Sequence, residues 1–142
     1  TGLNGRITRI GFRLKNDSVA ETYQNFSIVV GYTANTLLGS GVPFASNMDS
    51  PVTVFSGTAT VPAGLKAGDW IDIPLTTSFT GDPTKNLAVY IKSDQGTASQ
   101  LNTMRGEGDA TRFASLSSFV VDTISTTPSN VTNSIMDIRF GY

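Results

Sequence analysis

The chain has 142 residues, ten Lys+Arg against eleven Asp+Glu for a net charge of −1, and neither histidine nor cysteine. Those two absences exclude a Ser-His-Asp triad, a Cys-His pair, a histidine general base and a thiolate or imidazole zinc site built from this chain alone. With 15% of residues charged and the signs balanced, the composition also argues against a nucleic-acid or anionic-membrane footprint of clustered Lys and Arg.

In chain order, Ile10, Phe12 and Leu14 alternate with Arg9, Gly11 and Arg13, the two-residue period of a half-buried strand. Phe26, Ile28, Val30 and Tyr32 share the face of the next. Gly39, Ser40, Gly41 and Pro43 then open an irregular connection up to Pro51, apolar at Leu37, Leu38 and Phe44. Residues 52–61 read as a strand bulged or bent at Gly57, and residues 62–64 as a turn. Ile71, Ile73 and Leu75 alternate with Trp70 and Asp72, and Pro74 marks either an edge strand or the place where pairing stops. After the Gly81-Asp82-Pro83 turn, Leu87, Val89 and Ile91 alternate with Ala88, Tyr90 and Lys92.

Residues 101–104 read as a short strand, residues 105–109 as a glycine-spaced polar loop, and residues 113–124 as a helical turn or a strand followed by a strand-like run. Met136, Ile138, Phe140 and Tyr142 then oppose Asp137 and Arg139 in a last strand. Nineteen Thr and fifteen Ser against two Glu favour strands over helices. The expectation is a single all-β domain over residues 1–142, a two-sheet antiparallel β-sandwich with a jelly-roll-like topology and about eight strands. If its first and last strands lie side by side, Arg-to-Asp pairs form on the outer surface. No apolar run reaches the length of a membrane span. The chain starts at Thr1 rather than Met, as a mature product or an excised piece does.

The succession Gly5-Arg6-Ile7-Thr8-Arg9-Ile10-Gly11-Phe12, then residues 25–33, 52–57 and 68–75 with Phe79, then residues 85–89, resembles β-sandwich modules of large secreted or surface-anchored bacterial proteins. Their strands run I-x-x-I-x-F, then F-x-I-x-x-G-x-T, then a W-x-x-I-P-L…F…N-L block. The resemblance covers residues 5–93. It implies an extracellular, non-enzymatic building block and transfers no catalytic residue.

Three places carry candidate chemistry. Trp70 and Tyr90, outward by parity beside Asp72 and Lys92, make an aromatic platform for a glycan if their strands are neighbours, with Tyr23 and Tyr32 as lesser contributors; a Trp capping the core is the plainer reading. Asp94, Glu107 and Asp109 are candidate oxygen ligands for a structural calcium, which takes about six to eight oxygens, although no D-x-D-x-D-G loop is present. Glu107 and Asp109 are also the carboxylates a glycosidase would need, but they sit two residues apart in one loop rather than across a cleft. Arg9, Arg13 and Arg139, with Arg6, form a basic strip for an acidic partner or an anionic polysaccharide if the terminal strands pair; a mixed-charge face that discourages edge aggregation is the plainer reading.

These readings converge on a non-catalytic structural or adhesive module, extracellular or on a cell surface, a filament or a virion. It acts by assembling with copies of itself or with other surface subunits, with no cofactor, no nucleic acid and no membrane insertion. The alternatives are a carbohydrate-binding module and a viral capsid or decoration protein.

Overall fold

The computed structural model describes residues 4–34, 44–92, 105–106, 115–117, 130–132 and 135–142. The chain forms β1 (Gly5–Arg13), β2 (Glu21–Thr33), β3 (Asp49–Val61), β4 (Trp70–Gly81), β5 (Asn86–Lys92), β6 (Arg105–Gly106), β7 (Ser115–Ser117), β8 (Asn130–Thr132), β9 (Ile135–Met136) and β10 (Ile138–Gly141). A single 3-10 turn, Phe44–Asn47, precedes β3, and there is no α-helix among the described residues. Two antiparallel three-stranded sheets hold the long strands, one in the order β10-β1-β4 and the other β3-β2-β5; β6 pairs with β9 and β7 with β8.

The two-residue period explains which side chains turn inward. Ile10 and Phe12 of β1, Phe26, Ile28 and Val30 of β2, Val54 and Val61 of β3, and Ile73 and Phe79 of β4 meet in one buried cluster fed by both sheets. Burying each such side chain contributes about 1.5–3 kcal/mol, so this cluster is the main source of stability. Leu87, Val89 and Ile91 of β5 pack against it. Two polar contacts also join the sheets: the Tyr32 hydroxyl donates to the Thr80 carbonyl at 2.6 Å, and the Thr76 hydroxyl donates to the Val54 carbonyl at 3.1 Å.

Several strand readings change in the structure. The bulge expected at Gly57 lies on its partner: Tyr23 pairs with Ala59 and Phe26 with Gly57, so β2 carries the extra residue, beside Asn25 at a φ of 49°. That extra residue lets Tyr23 and Phe26, three apart, both face the core. The β1–β4 register also shifts between Ile7 and Arg9, with the extra residues on β4, and Ile7 and Ile10, three apart, are both buried. The run from Met136 to Tyr142 is not one strand: it divides at Asp137, with Met136 pairing in β9 and Ile138 in β10. The described strands number ten rather than about eight, because four pieces of two or three residues occur beyond β5. The expected strand over residues 101–104 lies outside the described residues.

Pro74 does what its missing N–H requires. Among the described residues β4 is an edge strand, and its register with β1 breaks next to Pro74: Ile7 pairs with Phe79, but Arg9 already pairs with Pro74. Two of the connections that cross between the sheets, β1–β2 and β3–β4, are zipped together. The Ser18 hydroxyl donates to the Pro62 carbonyl at 2.6 Å and accepts from the Leu65 N–H at 3.0 Å. Asp17 accepts from the Ala67 N–H and pairs with Lys66.

Candidate functional site

The outer face of the β10-β1-β4 sheet gathers most of the residues singled out in the sequence. Antiparallel pairing places Arg139, Gly11 and Asp72 in one row across the three strands. Arg139 extends over Gly11 and grips the carboxylate beyond it: Nε donates to Asp72 Oδ1 at 2.9 Å and Nη2 donates to Oδ2 at 2.5 Å. A Cβ on residue 11 would run into the Asp72 carboxylate and lie 2.8 Å from Arg139 Cγ, so the fork needs a glycine beneath it. The guanidinium carbon also stands 4.8 Å from the centre of the Trp70 ring, which adds a cation–π attraction.

The neighbouring rows repeat the pattern. Arg9 pairs with Gly141 and lays its side chain over that glycine, where any Cβ would collide with it. Arg13 stands opposite Trp70, donates through Nε to the Gly68 carbonyl at 3.2 Å, and pairs with Asp137 at 3.6 Å. Arg6 donates through Nε to the Ser78 hydroxyl at 2.8 Å. The terminal strands do pair, so the expected outer-surface Arg-to-Asp contact is present in Arg13–Asp137, and the stronger Arg139–Asp72 fork joins it from β4.

The electrostatics follow from this geometry. The Arg139 fork holds the Asp72 carboxyl below its ordinary range, with Arg9 adding to the pull, while the same bonds raise the Arg139 guanidinium above its own. The pair remains partly in solvent, Arg139 with 47% and Asp72 with 34% of side-chain area exposed, so its net worth is that of a well-formed surface pair. In the other sheet, Tyr23 is pushed above the usual phenol range by burial and by its hydrogen bond to Glu21, a carboxylate 7% exposed.

The glycan platform loses its premise. Trp70 and Asp72 belong to β4 in one sheet, whereas Tyr90 and Lys92 belong to β5, which among the described residues pairs with β2 in the other. Trp70 is half-buried under Arg139, and Tyr90 is half-buried beside Val29, where burial raises its hydroxyl. Tyr23 is in the core and Tyr32 bridges the sheets. Asp94, Glu107 and Asp109 lie outside the described residues, as does the connection over residues 35–43; among the described residues no group of acidic side chains is placed to hold a metal.

Two features were not visible in the sequence. One is the β1–β4 pairing that puts Asp72 within reach of Arg139, although parity had already turned both outward. The other is an apolar cavity of about 20 Å³ between the sheets, lined by Phe12, Tyr23, Phe26, Ala59, Val61 and Ile73. It has room for about one water, and its lining, which also includes Thr60 and Ile71, is almost wholly apolar. Comparison of the chain with protein-family models, with curated proteins and with solved structures finds no match in any of the three.

Proposed function

We propose that this chain is a jelly-roll-like β-sandwich acting as a non-catalytic structural or adhesive module of a cell surface, a filament or a virion, working by contact with copies of itself or with other subunits. The observation that carries the reading is the placement of charge. Among the described residues every ion pair lies on an exposed sheet face or in a turn, where it fixes strands and loops, and none faces a cavity. The cavity between the sheets is apolar and admits no substrate larger than water. A chain without histidine or cysteine in which Asp17, Asp69, Asp72, Asp82 and Asp137 are held by arginine, lysine or turn N–H groups is suited to shape and recognition rather than to proton transfer.

Sedimentation equilibrium from micromolar to millimolar protein tests the assembly half of this reading. Reversible self-association that grows with concentration supports it. A strictly monomeric chain throughout removes assembly with copies of itself.

A further inference from the structure

Arginine is segregated in this molecule. Arg6, Arg9, Arg13 and Arg139 are all the arginines whose side chains are described, and all four stand on the outer face of the β10-β1-β4 sheet. Of the four lysines, Lys66 and Lys85 pair in turns, Lys92 lies on the other sheet, and Lys15 follows the end of β1. Among the described residues Asp72 and Asp137 are the carboxylates paired with these four guanidinium groups, which leaves two positive charges of the four without an ion pair. Asp72 and Asp137 are taken by Arg139 and Arg13; Arg6 holds only a hydroxyl, and among the described residues Arg9 has no ion pair.

We infer that this face binds an acidic polysaccharide, with Arg9 and Arg6 as the groups that meet its carboxylates or sulfates. The planar fork of arginine matches such oxyanions two bonds at a time, which the ammonium of lysine does not. Arg9 lies flat over Gly141 with its stem already ordered by that contact, so little side-chain freedom remains to be lost on binding. From Arg6 to Arg13 the strand runs about 23 Å at the usual rise per residue, a length over which a linear polyanion meets successive guanidinium groups. Around them stand the hydroxyls of Thr8, Ser78 and Thr80, the backbone of Gly11 and Gly141, and Pro74 opposite Arg9. A protein partner needs an apolar centre to its contact, and here the one large ring, Trp70, is covered by a guanidinium. The occupant is therefore a sugar polymer and not a protein.

The inference rests on the adhesive half of the function proposed above, and the two fail separately. Binding of polygalacturonate, heparin, neutral dextran and polyglutamate is measured by isothermal titration at low and high salt. The expected result is binding of polygalacturonate or heparin that weakens with salt, no binding of dextran, and a loss of about tenfold or more in Arg9→Gln, deepened by Arg6→Gln. Arg9→Lys, which keeps the charge and the fold but not the fork, is expected to bind more weakly than the unaltered chain. No binding at low salt, unaltered binding by the Arg6→Gln/Arg9→Gln chain, or polyglutamate bound as well as the sugar polymers overturns the inference. If the chain self-associates but ignores the acidic polymers, this inference falls and the assembly reading stands.

Discussion

Arg139 and Asp72, on the two edge strands of one sheet, are joined by a two-pronged bond that passes over the strand between them. The fork ties the last described strand to the rest of the fold by side chains as well as by the β1–β10 ladder. Because both groups are partly solvated, a double-mutant cycle over Asp72→Asn and Arg139→Gln in urea denaturation is expected to give a coupling of about 0.5–1 kcal/mol. A coupling of zero would mean that the fork is present but mechanically idle.

Gly11 is the condition for that fork. Elsewhere in a strand a glycine-to-alanine change gains about 0.5–1 kcal/mol from backbone entropy; here the new methyl group displaces Arg139 from Asp72. The expected outcome for Gly11→Ala is a net loss of about 1 kcal/mol that shrinks when Asp72→Asn is already in place. Trp70 is the only tryptophan, so its fluorescence reports the same event: Gly11→Ala and Arg139→Gln are both expected to change its emission, because each removes the guanidinium from the ring.

Acidification should act through Asp72. Its folded-state pKa lies below the ordinary value because Arg139 favours the carboxylate. A depressed pKa stabilises the fold above the unfolded-state value of about 3.9 and ceases to do so as the pH falls through the folded value. Asp72→Asn is therefore expected to be less stable than the unaltered chain at neutral pH and to match it once Asp72 is protonated in both the folded and the unfolded state. Urea midpoints measured along a descending pH series check the closing of that gap; a gap that widens in acid contradicts the sign.

Two single-atom changes probe the packing between and behind the sheets. Tyr32→Phe keeps the ring against Phe79 but removes the hydroxyl that reaches the Thr80 carbonyl, and the expected cost is about 0.5–1.5 kcal/mol. Ser27→Ala goes the other way. Among the described residues the buried Ser27 hydroxyl has no hydrogen-bond partner, so its removal is expected to raise stability by up to about 1 kcal/mol. Thermal unfolding of both variants against the unaltered chain decides each sign.

The strand faces were legible wherever the period of two ran uninterrupted: Phe26, Ile28 and Val30 point inward as their spacing demands. It misled where one strand carries an extra residue, as between Tyr23 and Phe26, because a bulge is set by the partner strand and by the φ of Asn25. Ala88 shows a second limit. Parity places it opposite Leu87 and Val89, yet it is buried, and burial on the outer side of a strand depends on what the chain lays across it. The outward direction of Trp70, Asp72 and Arg139 was readable, but their meeting required the β10-β1-β4 order, a long-range pairing that no local pattern encodes. The near-zero net charge concealed the arginine face for a similar reason: totals do not record which side of a sheet a charge occupies.

We propose contact with an acidic polysaccharide through the outer face of the β10-β1-β4 sheet. Its most direct test is a titration of isotopically labelled protein with polygalacturonate, followed by backbone amide and arginine side-chain NMR signals. The account predicts shifts confined to β1, β10 and the start of β4, centred on Arg6 and Arg9 and including the Trp70 indole. Shifts centred on β3 and β5, or no shifts at any polymer concentration, would contradict it.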